Sequence, residues 1–306
     1  MRAKAIVKIC ICGTIALVLA SMLVSLLALP RVLDWKIGDL SFHWIDDHGS
    51  DEGYTVGEAS VSGEVRELDV SWLSGSVTVE LTDGDAVTLR EEPQPESSDA
   101  RMRWKLQDGK LTVYSQKSGL TIPTRAKQLT IGIPAGRAGK LQKLSLDLSA
   151  ATASLPALTL RELELDSVSG SVTLTGGSYE NLDFDSTSGD LTVTDAAVGE
   201  LSADTTSGSL TLGGAFETID FDTTSGALHL TASALPRDIS CDTVSGGVTL
   251  TLPENGGFSA ALDSVSGDLT VDGFAGSLHR DEFVYGQGGP AYEFDSVSGD
   301  VRICCA

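Results

Sequence analysis

Residues 166–193 read DSVSGSVTLTGGSYENLDFDSTSGDLTV, in which the motif Asp-Ser-x-Ser-Gly occurs twice, 19 residues apart. The same motif, with Ser or Thr at its second position, recurs along the rest of the chain. Its glycines are Gly170, Gly189, Gly208, Gly226, Gly246, Gly267 and Gly299, and its aspartates are Asp166, Asp185, Asp204, Asp222, Asp242, Asp263 and Asp295. Self-similarity at a nearly fixed period is typical of a repeat architecture.

Apolar residues alternate on both sides of each glycine, and the alternation changes phase at the Ser-Gly step. Around Gly170 the apolar positions are Leu163 and Leu165 before it, and Val172 and Leu174 after it. Side chains of a strand point to opposite faces with a period of two, so the phase change predicts a corner between two short strands. Glycine is expected at this corner because it accepts a positive φ without a Cβ clash.

Two short strands cannot bury an apolar face alone, so repeats of about 19 residues are expected to stack. Stacking pairs each strand in parallel with its equivalents, about 4.8 Å away. We therefore predict an all-β fold, a single-stranded parallel β-solenoid over residues 141–306 with aliphatic columns inside. The serine before each glycine is expected to form a hydroxyl ladder. Residues 53–140 are strand-rich but irregular and are predicted to form an N-terminal cap.

Residues 9–29 are uncharged and almost wholly apolar, and this segment has the length of a transmembrane helix. Arg2, Lys4 and Lys8 precede this segment, and positive flanks favour the cytoplasm. We predict a short cytoplasmic tail (residues 1–8), an uncleaved signal anchor (9–29) and a juxtamembrane linker (30–52). The C-terminal domain would then be extracytoplasmic on a bacterial cell membrane. A cleaved signal peptide is the alternative, although Leu29-Pro30 makes a poor cleavage site.

The net charge of the 306-residue chain is −22, which makes nucleic acid an improbable partner because phosphates are repelled. Residues 101–145 are the exception, with ten positive side chains and one negative. The four that we select as contacts for an anionic wall polymer or lipid headgroups are Arg101, Arg103, Lys105 and Lys110. The alternative is that this basic block offsets the acidic repeats within the chain.

Five cysteines show neither a CxxC pair nor an evenly spaced framework, which excludes a zinc module and a disulfide-dense scaffold. Cys241 falls in an inward column. Cys304 and Cys305 end the chain, where a thiol could cross-link copies. The last coil has no predicted cap, so its edge could support self-association or partner docking.

The aspartate column has two interpretations. A carboxylate at a turn can accept hydrogen bonds from backbone N–H groups, which is the structural interpretation. Stacked carboxylates could instead bind calcium through Asp166, Asp185, Asp204, Asp222, Asp242, Asp263 and Asp295. The motif differs from the nonapeptide of calcium-binding β-rolls, and no cofactor is predicted. Stacking should in either case raise the pKa of some of these carboxyls.

The 32-residue interval between Gly267 and Gly299 contains an insertion, residues 273–291. Departures from a repeat often carry function, because loops project from a rigid array. The candidate binding residues in this insertion are His279, Arg280, Asp281, Glu282 and Tyr285. A surface hairpin without a special role is the alternative.

The N-terminal apolar span, the DGKL hairpin (residues 108–111), the IxIP segment (131–134) and the DSxSGDLxV coils together resemble a known bacterial family. This is the β-strand-repeat domain of unknown function that is often labelled "putative adhesin", and the resemblance covers roughly residues 60–306. It implies a location in the bacterial envelope, and some relatives are linked to envelope-stress responses. It supplies no catalytic residues.

These observations favour a membrane-anchored, non-catalytic module that binds, scaffolds or senses in the cell envelope. Its partner would be a wall polymer or an envelope protein, bound by the outer faces, the basic block or the insertion. One alternative is an enzyme that acts on envelope polysaccharide, which would need a cleft with two close carboxylates. Another is a calcium-stiffened surface array.

Overall fold

The computed structural model describes residues 45–46, 51–118, 120–121 and 126–306. Twenty-four strands dominate this part of the chain, with one 3₁₀ turn (Ser98–Ala100) and one short helix, α1 (Ala135–Ala138). The prediction of an all-β fold is confirmed. Within these residues, no helix is long and apolar enough to cross a membrane. The predicted tail (1–8) and span (9–29) lie outside the described residues.

Successive repeats pair in parallel through two sheets. We call the strands before each corner the front sheet, the strands after it the back sheet, and one front strand with its back strand a rung. In order along the stack, the front sheet contains β7 (Lys110–Tyr114), β4 (Glu67–Thr82), β10 (Lys143–Leu155), β11 (Thr159–Ser167), β13 (Ser178–Ser186), β14 (Leu191–Thr205), β15 (Leu210–Thr223), β17 (Asp238–Thr243), β23 (Ala291–Ser296) and β19 (Gly257–Ser264).

The back sheet follows the same order. Four long strands, β4, β10, β14 and β15, belong to both sheets because each continues from one sheet into the other. The back sheet contains β9 (Lys127–Pro134), β4, β10, β12 (Val172–Thr175), β14, β15, β16 (Leu228–Ala232), β18 (Val248–Leu252), β24 (Val301–Cys305) and β20 (Leu269–Asp272).

Equivalent positions of successive rungs lie side by side. Asp166 pairs with Asp185, and Asp185 pairs with Asp204. Strict register follows from the period of two, since a slip by one residue would turn every apolar side chain to water. Leu, Val, Ile and Phe therefore fill the interior in columns, as the alternation around the glycines predicts.

Antiparallel strands pair with both sheets at the N-terminal end of the stack and with the front sheet at the other end. At the N-terminal end, β5 (Val87–Glu92) pairs with β9 and β3 (Ala59–Val61) with β5, while β6 (Arg103–Gln107) pairs with β7 and β2 (Thr55–Val56) with β6. At the other end, β22 (Glu282–Gly286) pairs with β19 and β21 (Ser277–His279) with β22. A separate antiparallel pair joins β1 (Ile45–Asp46) and β8 (Leu120–Thr121).

The in-register stack begins earlier than the predicted boundary at residue 141. β4 pairs with β10 over eleven residue pairs, and β7 and β9 add a further rung beyond β4. Residues 53–140 therefore supply two rungs as well as the covering antiparallel strands.

The last coil of the sequence is not the last rung of the stack. β23 pairs with β17 on one side and with β19 on the other, and β24 lies likewise between β18 and β20. The prediction that residues 291–305 form an open edge is wrong, because both of their edges are paired. The terminal rung is instead formed by residues 257–272.

The corner motif is held by two sets of hydroxyl groups. The Ser or Thr after the aspartate is buried in the inner rungs, and in most of them it accepts a hydrogen bond from the corner glycine N–H, as in Gly170 N to Ser167 Oγ (2.9 Å) and Gly246 N to Thr243 Oγ1 (2.7 Å). The serine before the glycine donates to a backbone carbonyl of the neighbouring rung, as in Ser188 Oγ to Val168 O (3.1 Å). The expected serine-to-serine ladder is therefore replaced by bonds to backbone.

Close approach of two backbones explains the corner glycines. A Cβ added at Gly208, Gly226 or Gly246 would lie less than 3.0 Å from the carbonyl oxygen of the preceding corner glycine, a distance that real Cβ atoms essentially never show. None of these three glycines has a positive φ. The expectation of a left-handed corner is therefore wrong for the regular rungs, although Gly75 does have φ +105°.

A buried ion pair joins the N-terminal cap to the stack. Lys127 Nζ lies 2.7 Å from Glu91 Oε1, donates to Ala100 O at 2.8 Å and to Ser115 O, and sits 5.0 Å from the centre of the Trp72 ring. Glu91 also accepts the backbone N–H of Met102. Because breaking such a pair would leave a buried charge without its partner, the pair holds β5 of the cap against β9.

The inserted position of β24 can be tested with a disulfide. Thr251→Cys should form an intramolecular disulfide with Cys304 under mild oxidation, because these residues are direct neighbours on β18 and β24 and disulfides span Cα distances of about 4.4–6.8 Å. Peptide mass spectrometry would identify the link. Thr231→Cys, one rung farther away, is the control and should not link to Cys304. Stacking in chain order would instead place residue 251 beside Asp272, and absence of the 251–304 link would contradict the inserted order.

Candidate binding surfaces

The outer side of the front sheet is acidic. Parallel register brings the predicted aspartates into one column, extended by Asp147, with neighbours about 4.8 Å apart. In order along the stack the column contains Asp147, Asp166, Asp185, Asp204, Asp222, Asp242, Asp295 and Asp263. We call it the aspartate ladder. Two residues earlier, a parallel column adds Glu164, Asp183, Asp220 and Glu293.

Packing within the ladder raises the pKa of its carboxyls. Removal of water by neighbouring rungs is the main cause, and repulsion from the adjacent carboxylates adds to it. The pKa is raised to about 6 for Asp166, Asp185 and Asp242, and to about 7 for Asp222. The pKa of Asp204 is also raised. The outer side of each carboxyl stays in contact with water, which screens part of the effect on stability.

At the corners, the backbone N–H groups of the glycines are bound by the Ser or Thr residues that follow these aspartates. The buried Ser or Thr hydroxyls, not the carboxylates, accept the glycine N–H bonds at the corners. The described residues contain no group of three or more His, Cys, Asp or Glu side chains that could hold a metal ion. Calcium binding by the ladder stays a prediction.

The outer side of the back sheet is rich in hydroxyl groups from β12 to β18, whereas Arg302 on β24 and Asp272 on β20 are charged. Threonines three residues after the corner glycines align in a column with one histidine, and a second column lies two residues further on. The first column contains Thr173, Thr192, Thr211, His229 and Thr249, and the second contains Thr175, Thr194, Gly213, Thr231 and Thr251. We call this surface the threonine face; its side chains are exposed or half-exposed. Neither column has an acidic side chain between Thr173 and Thr251.

Sequence reasoning missed the threonine face because it followed only the apolar half of the alternation. The signal was present in the segments VTLT (172–175), LTVT (191–194) and VTLT (248–251), where every second residue is Thr. Once the register is known, these residues must share one surface.

The predicted basic residues are engaged within the chain. Arg103 is buried near Asp51 (3.9 Å) and Asp99 (3.7 Å), and Lys110 bridges Glu67 (2.8 Å) and Asp69 (3.0 Å). Such ion pairs agree with the alternative interpretation, in which the basic block offsets acidic residues of the same chain.

The other two basic residues also have partners in the chain. Arg101 donates to Pro95 O at 2.8 Å, and Lys105 Nζ lies 5.6 Å from the centre of the Tyr54 ring. Contact of this block with an anionic polymer stays a prediction.

The insertion forms the cover of the terminal rung. Phe274, Phe283 and Tyr285 surround the buried Phe258, with ring centres 5.0–5.9 Å from it. Tyr292 stacks on Phe258 from the neighbouring rung. Tyr285 therefore has a packing role that residue spacing did not indicate.

The remaining loop candidates lie at the turn between β21 and β22. His279, Arg280, Asp281 and Glu282 are exposed there, and Arg280 has φ +59°. The structure thus brings these four together and separates Tyr285 from them by its packing. Ligand binding at this turn stays a prediction.

Two shallow depressions lie in the N-terminal part, away from the insertion. One is lined by Ser62, Glu64, Val65, Arg137 and Lys140, and the other by Gly75, Ser76, Glu92, Pro93, Ala126, Lys127 and Gln128. Each contains a single carboxylate, whereas hydrolysis of a glycosidic bond uses two.

The aspartate ladder predicts that stability rises on mild acidification. Because the pKa of these carboxyls is higher in the folded chain than in the unfolded chain, the folded state binds more protons between about pH 4 and 7, and unfolding becomes harder as pH falls. We expect a higher Tm at pH 5 than at pH 8, measured by calorimetry on the full-length chain. Each ~1 kcal/mol corresponds to roughly 2–4 °C.

A neutral variant provides the control for this prediction. Asp222→Asn should raise Tm at pH 8 and reduce the difference between pH 8 and pH 5, whereas Asp281→Asn, in the exposed turn, should not. A Tm that is higher at pH 8 than at pH 5 would contradict the effect assigned to the ladder.

The chain is similar to solved structures. A "putative lipid binding protein" from Parabacteroides distasonis is 16% identical, with a TM-score of 0.51 over 83% of this chain and 97% of that one. A "putative adhesin" from Bacteroides fragilis is 15% identical, with a TM-score of 0.43 over 83% and 98% of the two chains. The first likeness shows a common fold. No curated protein matches the chain.

A family model described as Toastrack DUF4097 matches residues 65–304. The match begins just before β4 and ends within β24, so it spans the rungs and the insertion at residues 273–291. This is the β-strand-repeat family that the corner motif resembles. The chain therefore belongs to the Toastrack DUF4097 family.

Proposed function

We propose that the chain is a non-catalytic binding module of the bacterial cell envelope. In this proposal the rungs form a single-stranded parallel β-solenoid, and residues 9–29 hold it at the membrane with the C-terminal domain outside the cytoplasm. The uncharged segment and the positive residues before it support the anchor.

The threonine face is the observation that carries the proposal. Among the three surfaces expected to bind, the four basic residues selected above already have partners within the chain, and much of the insertion packs on Phe258. The outer faces are the extended surfaces that remain. They are rigid because each inner strand is hydrogen-bonded on both sides, so little ordering entropy is lost on binding.

The chemistry of the two faces favours an uncharged polymer. The aspartate ladder repels anionic polymers and phosphate headgroups. The threonine face offers hydroxyl donors and acceptors at a spacing of about 4.8 Å along the stack. A neutral glycan strand presents repeated hydroxyl and amide groups, so many weak contacts could add up along its length. Wall glycan is therefore the partner class that we assign.

Co-sedimentation with insoluble chitin, an uncharged polymer of N-acetylglucosamine, tests this assignment. The full-length chain in detergent should pellet with chitin. The double variant Thr192→Glu and Thr211→Glu should bind at least several-fold less, because two carboxylates would then lie on the face that contacts the glycan. Depletion of protein from the supernatant measures the binding.

Ser202→Glu, on the front sheet, is the matched control and should bind like the wild type. Circular dichroism should show that all variants keep the strand content of the parent. Equal binding by the double variant and the control, or no binding by the wild type, would contradict the assignment.

A separate extraction tests the anchor. When bacterial membranes that contain the wild-type chain are washed with alkaline carbonate, the chain should stay in the membrane fraction. Release into the supernatant would argue against the anchor.

A further inference from the structure

The hydrogen-bond ladder of the back sheet stops at β20. In each inner rung, the residue two places after the corner glycine donates its N–H to the next rung, as in Leu228 N to Gly247 O (3.0 Å), Val248 N to Asp300 O (2.9 Å) and Val301 N to Asp268 O (3.0 Å). Leu269 is the next residue in this series, and among the described residues β20 pairs only with β24. The antiparallel cover lies on β19 and leaves β20 uncovered.

The alternation of a parallel ladder identifies the free backbone groups. Since Asp268 O accepts from Val301, the N–H groups of Thr270 and Asp272 point toward β24, and those of Leu269 and Val271 point away from it. The open side of β20 thus carries donors and acceptors in the arrangement that accepts another strand.

Side-chain exposure also marks this edge as uncovered. The residues equivalent to Leu269 and Val271 are buried in every inner rung, whereas these two are half-exposed. Val265, at the same corner, is 57% exposed, and Leu278 in the adjoining hairpin is 52% exposed. An unpaired strand beside exposed apolar side chains is the surface that β-augmentation uses.

The charges around the edge select the partner. Asp263, Asp268 and Asp272 lie on the terminal rung, and Asp281 and Glu282 lie at the turn of the hairpin. Of the two basic residues in this region, Arg302 is already bound to Asp272 (2.8 Å) and Arg280 is at the turn. A second copy would bring the same acidic groups against each other, whereas Lys or Arg side chains would be attracted.

We propose that the open edge of β20 binds an extended segment of another protein, in which apolar residues alternate with Lys or Arg. The segment adds a strand to the back sheet through the backbone of Leu269 and Val271. Its apolar side chains cover those two residues, and its basic side chains face Asp268, since Asp272 is already paired with Arg302. This surface is separate from the threonine face, so the two proposals can fail independently.

Fluorescence anisotropy with a defined peptide tests the proposal. The probe is a fluorescein-labelled Lys-Val-Lys-Val-Lys-Val peptide blocked at both ends, titrated with the full-length chain in detergent. We expect saturable binding, and about fivefold to tenfold weaker binding by Val271→Pro, because proline removes one edge donor without disturbing the pairing with β24. The peptide Glu-Val-Glu-Val-Glu-Val should bind the wild type no more tightly than the lysine peptide binds Val271→Pro.

Val271→Ala is the matched control, since it shortens the same side chain but keeps the N–H group. It should bind more tightly than Val271→Pro because it keeps the edge donor, and equal Tm values of the two Val271 variants would show that both fold. Binding that Val271→Pro leaves unaltered would assign the peptide to the acidic front sheet and overturn the proposal. The absence of binding would also overturn the proposal. So would sedimentation that shows a dimer of the wild type and a monomer of Val271→Pro, because the edge would then bind a second copy.

Discussion

The close approach of backbones at the corners constrains the whole structure. At each regular corner the carbonyl oxygen of the preceding rung occupies the space where a Cβ would lie, so only glycine fits. The buried hydroxyl of the residue directly after the aspartate satisfies the glycine N–H, and the serine before the glycine binds the neighbouring rung. One five-residue motif thereby fixes the turn, the distance between rungs and the register of both sheets.

Register, once fixed, determines the surface chemistry. Residues that alternate with the core must appear as columns on the outside, and the columns differ between the two sheets. Carboxylates line the front sheet, where burial and, after it, mutual repulsion raise their pKa, and where they repel anions. Threonines line the back sheet from β12 to β18 and leave this part nearly neutral. The chain thus separates an acidic surface from a hydroxyl surface by strand alternation alone, without a loop or a cleft.

Sequence reasoning could predict what repeats and could not predict what interrupts the repeat. The corners, the inward columns and the stacked aspartates follow from spacing and alternation. The order of the last two rungs does not, because Asp263 and Asp295 carry the same motif and either could stack on Asp242. The aromatic cover around Phe258, which includes Tyr292 of the inserted rung, accompanies this order, and residue spacing did not indicate the cover. The ion pairs of Arg103 and Lys110 were equally hidden, since they join residues distant in sequence.

Two adjacent glycines allow the most direct test of the corner constraint. Gly246 has the neighbouring rung's carbonyl in its Cβ position, whereas a Cβ on Gly247 would meet its nearest atom, Asp300 O, at 3.7 Å, an ordinary contact. We predict that Gly246→Ala lowers the free energy of unfolding in urea by about 2 kcal/mol or more, and that Gly247→Ala changes it by less than about 1 kcal/mol. Equal effects of the two substitutions would contradict the account.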